Sequence, residues 1–421
     1  MSRLDELIAK LCPDGVEYKT IGELATDIFR GSGITRDQVS ETGTPCVRYG
    51  EIYTTYGVWF DRCVSHTDEK KITNAKYFEH GDILFAITGE SVEDIAKSTA
   101  YIGNEKCLAG GDIVVLKHEQ DPKYLAYALA TTNARTQKSK GKVKSKVVHS
   151  SIPAIQSLVI PVPPLEVQRE IVRILDNFTA LTTELTTELT TELTARRKQY
   201  VYYLNSLLNL ESLKPSRIMY VGDLFEIKNG LNKEKSAFGK GTPIVNFTDV
   251  YNKRYLTGDM LKGKVTLSDI EIARYEVKKG DVFFTRTSET KEDVGMSSTV
   301  IEDIPNCTFS GFVLRARPLT DLLSPKFCSY YFSTNQVRDN IVRYASFTTR
   351  ATTSGPKLAK IPVPIIPIEE QESIVSILDR FDILCNNLSS GIPAEIETRK
   401  QQYEYYRDRL LTFKEKENAD E

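Results

Sequence analysis

Apolar residues recur at spacings of three and four along one stretch of the chain: Val167, Ile171, Ile174, Leu175, Phe178, Leu181, Leu185, Leu189, Leu193, then Tyr200, Leu204 and Leu208. That period places them on one face of a helix. No glycine or proline interrupts the sequence from Glu166 to Leu210, so the pattern predicts a single helix roughly 65 Å long at 1.5 Å rise per residue. A helix of that length exceeds ordinary globular size and calls for a partner helix. Its middle reads LTTELTTELTTEL from Leu181 to Leu193, a leucine at every fourth position.

The partner lies in the same chain. IPVPPLEVQREIVRILDNF begins at Ile160, and IPVPIIPIEEQESIVSILDRF begins at Ile361. From Pro164 and Pro367 onward the two copies keep one offset. Gln168 meets Gln371, Leu175 meets Leu378, Phe178 meets Phe381, and Tyr203 meets Tyr406. The repeated leucines meet Leu384, Leu388, Ile392 and Ile396. Internal similarity of this length governs the fold. The two helices are expected to pair as an antiparallel coiled coil along these eight residues, with a globular domain at each end and a pseudo-twofold axis between. Gly391 and Pro393 stand where the first copy has Glu188 and Thr190. A proline inside a helix costs about 3 kcal/mol, so continuity of the second helix is left open, with Ser389 or Ser390 available to cap a restarted one.

The repeat extends into the globular halves. GTPCVRYGEIY (Gly43 to Tyr53) answers GTPIVNFTDVY (Gly241 to Tyr251), each read as a turn followed by a short strand, and GDILFAITG (Gly81 to Gly89) answers GDVFFTRTS (Gly280 to Ser288). Asp121-Pro122 and Ser324-Pro325 each place a capping side chain before a proline, a good helix start. The fold class is therefore α/β: two tandem mixed α/β domains, residues 1–155 and 213–358, alternating with two helical regions, residues 156–212 and 359–421. The helical copies match closely, whereas the globular copies match at turns and strands and diverge in loops. Two different surfaces on one duplicated frame fit two ligands, or one asymmetric ligand.

Composition alters this picture little. A formal charge of -2 over 421 residues singles out no partner, so a nucleic-acid binder of this balance carries local basic patches. Seven cysteines without a CxxC pair suit a reducing compartment. Four histidines, all before residue 150, argue against a zinc cluster. No apolar run approaches a membrane span, and the expected location is cytoplasmic. Phosphate-loop, dinucleotide, HExxH and GxSxG motifs do not occur, and no catalytic residue and no metal ligand is assigned.

Basic residues are the remaining candidates. QKSKGKVKSKVVH (Gln137 to His149) alternates Lys138, Lys140, Lys142, Lys144 and Lys146 with small residues and a valine. As a strand or extended loop it would turn one lysine face to an anion such as the phosphate backbone. The second half answers with Arg338, Arg343, Arg350 and Lys357 among threonines and serines. Arg48 and Tyr53 in the first half, and Lys233, Lys235, Arg254 and Arg286 in the second, sit in the diverging loops; arginine and lysine have the geometry to read base edges.

The two IPVP segments, the TTEL repeats, and ARRKQYVYYLNSLL with its counterpart TRKQQYEYYRDRLL resemble the specificity subunits of type I restriction-modification systems, over nearly the whole chain. The resemblance implies two target-recognition domains that bind the halves of a bipartite, asymmetric DNA sequence. It also implies a non-catalytic scaffold for two adenine-N6 methyltransferase subunits and for ATP-driven restriction and translocation subunits. S-adenosylmethionine, ATP and Mg belong to those partners, and no cofactor is expected on this chain. The competing reading is a structural or interaction scaffold that reads no DNA; a salt-dependent DNA-binding curve separates the two.

The TTEL unit generates the first prediction. One four-residue unit adds about 6 Å of helix and a net rotation of only about 40°, so helix phase nearly survives its removal. Deleting Thr182 to Leu185 is expected to shorten the optimal spacer between two unchanged half-sites by about one base pair, at about 3.4 Å each. Binding to half-sites at graded separations, with the methyltransferase partner present, measures this. An unchanged spacer with lower stability would leave packing as the whole role of the repeat.

Overall fold

The computed structural model describes residues 2–140, 147–251, 253–386 and 390–416. The chain forms two compact units. One comprises Met1–Glu188 with Ile396–Glu421, the other Leu189–Glu395.

In the first unit a five-stranded sheet contains β1 (Ala25–Arg30), β2 (Trp59–Phe60), β3 (Ile83–Ala86), β4 (Ser98–Tyr101) and β5 (Ile113–His118), in the order β1-β5-β3-β4-β2. The second unit repeats it with β6 (Phe225–Asn229), β7 (Tyr255–Leu256), β8 (Val282–Thr285), β9 (Ser297–Val300) and β10 (Val313–Pro318), in the order β6-β10-β8-β9-β7. The pairs β4–β2 and β9–β7 are parallel and the others antiparallel.

Strands β3 and β8 are buried along their whole length, which is why both read as apolar runs rather than alternations. Successive side chains still part to opposite faces. Ile83 and Phe85 join the core beneath the helix Pro122–Leu129, while Leu84 and Ala86 join a second core with Val47, Phe78 and Ala109. Val282 and Phe284 divide from Phe283 in the same way. Gly31 and Gly230 follow the first strands because a Cβ there would stand 2.3 Å from the Gly110 carbonyl oxygen and 2.1 Å from that of Ser310. Both are sites of close backbone approach.

The expected helix starts are present. Asp121 accepts from the Tyr124 N–H at 3.0 Å, and Ser324 from that of Phe327 at 3.2 Å. The expected strands Gly43 to Tyr53 and Gly241 to Tyr251 are cut short. Strand pairing ends at Val47 and Val245, and helices Tyr49–Thr54 and Phe247–Tyr251 follow. The Glu51 and Asp249 carboxylates accept from the Arg48 and Asn246 backbone N–H groups at 3.1 and 2.9 Å. An acidic residue three positions on is a helix-start signal, and it outweighs the alternation.

The long helix α1 (Leu165–Leu207) is continuous, and its residues divide between the units after Glu188. The second helical copy is broken into α2 (Ile368–Asn386) and α3 (Ile392–Leu410). Pro393 falls in the first turn of α3, where its missing N–H removes no intrahelical bond. In the first unit Phe178 stacks on Tyr406 with ring centroids 6.0 Å apart, and Thr179 shares a 3.0 Å hydrogen bond with Tyr403. In the second unit Tyr203 stacks on Phe381 at 5.2 Å. Each unit thus holds the same Phe–Tyr contact, with the two helical copies exchanged.

The leucine stripe is not the continuous seam that its spacing suggested. Leu181 is 58% and Leu185 38% exposed, and Leu189 and Leu193 are half-buried. Residues spaced by four advance about 40° around a helix of 3.6 residues per turn, so the stripe drifts off any fixed line of contact. In the second copy Leu384 is exposed, Ile392 buried and Ile396 half-buried; Leu388 lies outside the described residues.

Each domain is fastened to its helix by one buried carboxamide. Gln168 Oε1 accepts from the Asp121 N–H at 3.1 Å, and its Nε2 donates at 2.8 Å to both Gln120 Oε1 and the Pro163 carbonyl. Gln371 accepts from the Ser324 N–H at 2.9 Å and donates to the Leu322 and Ile366 carbonyls at 2.8 and 3.0 Å. Asp176 and Asp379 add a second fastening, taking Lys123 and Tyr127 in one copy and Lys326 and Tyr330 in the other. Replacing Gln371 with alanine removes the partner of three polar groups, one buried and two part-buried, and is expected to lower unfolding stability by about 3 kcal/mol. The same change at exposed Gln401 is expected to alter it by under about 0.5 kcal/mol. Urea unfolding of both variants measures the difference, and equal losses would contradict the fastening role.

Candidate nucleic-acid interface

In the second unit three loops meet at the end of β8. The Arg286 N–H donates to the Phe312 carbonyl, and the Thr353 N–H to the Arg286 carbonyl, each at 3.0 Å. Strand Thr287–Ser288 pairs with Ala351–Thr352, which pairs in turn with Ser346–Phe347. The resulting cluster displays Arg286 and Arg350, both exposed, and two large apolar side chains, Phe312 at 66% and Phe347 at 49% exposure. Lys291 lies 5.5 Å from the Phe347 ring, and the Lys357 ammonium donates to Ser346 Oγ. Solvated cations among exposed aromatics suit phosphate contact combined with base contact or stacking. Lys235 stands exposed on the turn Lys235–Ala237, and Arg343 in the last turn of helix Asn335–Tyr344.

The first unit builds the same junction from different side chains. The Ile87 N–H donates to the Asp112 carbonyl at 3.0 Å, and the Ser150 N–H to the Ile87 carbonyl at 2.8 Å. Buried Ile87 thus replaces Arg286, and Asp112 replaces Phe312. Asp112 accepts from Arg30 Nη2 at 2.6 Å. Arg30, Arg36, Arg48, Tyr49 and Asp112 line an open concavity of about 910 Å³. Arg36 and Tyr49 are exposed there, while Arg48 Nε is paired with Glu51 Oε1 at 3.2 Å.

Several sequence candidates are engaged by other groups of the chain. Lys138 lies on the helix Thr132–Ser139, not on an extended lysine face, and is 7% exposed. Its Nζ donates to the Leu129 carbonyl at 2.9 Å and to Ser98 Oγ at 3.1 Å. A capping threonine, Thr131, starts a helix where the lysine alternation suggested a strand. Lys140 is exposed at the end of that helix; Lys142, Lys144 and Lys146 lie outside the described residues. Arg338 donates to the Glu292, Val294 and Gly295 carbonyls. The Tyr53 hydroxyl donates to the Ala86 carbonyl at 3.3 Å, and burial raises its pKa to about 12. Lys233 is paired with Glu271 at 2.6 Å, and that lysine's hydrogen bond, with those of Ser268, lowers the Glu271 carboxyl to about 2. Phe312, Phe347 and Lys291 went unread because only the folded loops show which isolated apolar or charged residues face solvent.

Arg254 is the clearest reassignment. Its Nη1 and Nη2 meet the two Asp382 oxygens at 2.9 Å, Nη1 also meets the Tyr200 hydroxyl at 2.9 Å, and the guanidinium lies 4.0 Å from the Tyr330 ring centroid. Burial alone would raise the Asp382 carboxyl; hydrogen bonds and charge from Arg254 bring it below its ordinary value. The unfolded chain then binds more protons than the folded one in the acid range, so this pair's stabilisation is present above the ordinary carboxyl pKa and fades as pH falls through the depressed one. Arg254→Met is expected to cost about 3 kcal/mol by stranding Asp382, and the double change with Asp382→Leu to recover most of it. Thermal unfolding at neutral and acid pH tests this; no loss in the single variant would return Arg254 to the list of free cations.

The comparisons with known proteins follow this duplication. The family model of the type I restriction modification DNA specificity domain matches residues 13–195 and again 214–398. A putative type I restriction enzyme specificity subunit of Haemophilus influenzae is 33% identical over 65% of this chain and 68% of its own length. A type I restriction enzyme specificity subunit of Escherichia coli is 30% identical over 62% of each chain. Among solved structures, a chain from a study of complex assembly and conformational transition of the type I R-M system shares the fold with a TM-score of 0.66, at 18% identity, covering 95% of this chain and 98% of that one. With both halves matched in turn, the chain belongs to the type I restriction-modification DNA specificity family.

Proposed function

We propose that this chain is the DNA-recognition subunit of a type I restriction-modification complex and reads a bipartite, asymmetric site. Residues 1–155 take one half-site and residues 213–358 the other. The regions 156–212 and 359–421 pair as an antiparallel coiled coil and carry two methyltransferase subunits and the restriction and translocation subunits. Catalysis, with S-adenosylmethionine, ATP and Mg, belongs to those partners, and the assembly serves defence against foreign DNA.

The observation that carries this reading is one frame built twice with unlike loop clusters. Ile87 and Asp112 stand where the second domain has Arg286 and Phe312, at identical backbone junctions. Two identical clusters would suit a palindrome; two unlike ones suit two different half-sites. The pairing of helices is supported by the exchanged contacts Phe178–Tyr406 and Tyr203–Phe381. The sequence candidates Arg286, Arg350, Lys357, Arg343, Lys235 and Lys140 are kept for DNA contact, as are Lys142, Lys144 and Lys146, which lie outside the described residues; Arg36 is kept with them, and Lys291, Phe312 and Phe347 are added.

Exchange of one domain tests the proposal. Residues 17–155 are replaced by the equivalent domain of another specificity subunit, the chimera is expressed with the methyltransferase, and methylated adenines are sequenced. The motif is expected to change in one half only. A change in both halves, or in neither, would overturn the assignment of one half-site to each domain.

A further inference from the structure

A cavity of about 300 Å³ in the first unit lies between the domain and its helical segments. Its lining includes Lys97, Lys138, Lys400 and Arg407. Lys138 and Arg407 are 7% and 2% exposed. The Lys138 ammonium rests on two neutral acceptors, Ser98 Oγ and the Leu129 carbonyl, with the Phe85 ring 5.6 Å away. Arg407 gives Nε and Nη2 to Asp408 at 2.8 and 2.6 Å, and its Nη1 makes no bond among the described residues. Carboxylates also reach the lining: Glu404 is held by Arg135 at 2.9 Å, Glu93 accepts from Ser91 at 2.5 Å, and Asp94 faces Lys97, whose ammonium donates to the Tyr53 carbonyl at 3.2 Å and whose pKa burial lowers against the Asp94 charge.

The internal duplicate shows what this place becomes when nothing polar is required of it. Lys138 and Ile341 occupy the same position on helices that begin after Thr131 and Thr334. Arg407 corresponds to Leu204, since the residues that follow, Asp408 and Asn205, accept from the Thr132 and Asn335 N–H groups at 3.0 and 2.7 Å. Lys97 corresponds to Met296, whose carbonyls accept from Ala86 and Thr285. Ile341 and Leu204 are buried in one apolar cluster. The frame therefore accepts hydrocarbon at these positions, and in the first copy three of them carry cations. Burying an ammonium without a counter-charge is costly, and packing does not require it.

We propose that this cavity binds a small doubly charged oxyanion of the phosphate or sulfate type, held by Lys138, Arg407 and Lys97. The site is separate from the exposed loop clusters and does not depend on which bases the domains read. Burial, with the Arg135 charge adding to it, pushes the Lys138 amine down to about 7. With the cavity empty, the amine sheds its proton near neutrality, and stability rises with pH from there to the ordinary lysine pKa because the unfolded chain binds the extra proton. An anion favours the protonated amine, so binding takes up a proton and weakens as pH rises.

Sulfate keeps a constant charge from about pH 6 to about pH 9, so its pH dependence reports the protein's own groups. Titration calorimetry of the full chain with sulfate, at fixed ionic strength in chloride, is expected to show one saturable site. Affinity should fall by up to about tenfold per pH unit above neutrality and by at least about tenfold in Lys138→Ile, which installs the residue of the second copy. That variant should melt no lower than the wild type in sulfate-free buffer. Inorganic phosphate and a nucleoside monophosphate identify the source: binding of both points to a phosphorylated metabolite, and binding of inorganic phosphate alone to the free ion. No saturable binding at millimolar sulfate, equal binding by Lys138→Ile, or affinity independent of pH in the wild type would overturn the proposal.

Discussion

The buried carboxamide of Gln168, and of Gln371 in the second copy, is the interaction on which the architecture rests. Each accepts from the residue that caps a domain helix and donates to the turn before a long helix. A neutral amide does this well: it offers donors and an acceptor together and carries no charge into the interior. The polar link fixes the register of domain on helix, and the apolar clusters around Leu175 and Leu378 complete it. The aspartates about two turns further along, Asp176 and Asp379, repeat the arrangement with charge where solvent reaches it.

With the frame secured in this way, the two copies are free to differ elsewhere. At the loop junctions the difference is between an isoleucine and an arginine, and between an aspartate and a phenylalanine. Beneath the helix it is between a lysine-lined cavity and a closed apolar core. Arg254 is another such divergence: the first copy has Val58 at that point, shown by the Ala100 and Thr299 N–H groups that donate to the two carbonyls. The second copy uses Arg254 to join its sheet edge to Tyr200 and Asp382. A cation in a diverging segment thus serves a fold as readily as a ligand.

The duplication, the mixed α/β class and the long first helix were legible because each leaves a local trace, a repeated string or a period; Gly391 and Pro393 raised the question of a break in the second helix without deciding it, and Pro393 lies in the first turn of α3. The leucine stripe was over-read, since an eye-catching spacing of four matches the helix only over a turn or two. The cations were least legible. Lys138, Arg254, Arg338 and Lys233 have the same composition as a binding surface, and only the fold shows that Lys138, Arg254 and Arg338 are withdrawn from the outer surface and that Lys233 is paired with Glu271. Phe312 and Phe347 carry the opposite lesson, because an isolated phenylalanine in sequence reads as core and here stands in solvent. Helix starts decided two further cases, Arg48 and Thr131, in which alternation alone pointed to strands.

The central claim is that one frame, built twice, presents two unlike reading surfaces to one DNA. Sequencing methylated adenines in a genome that carries the unaltered chain with its methyltransferase tests it most directly. The account predicts a single motif of two dissimilar short blocks separated by a fixed run of unspecified bases, with one methylated adenine in each block. A continuous motif, or two blocks related as a palindrome, would contradict it.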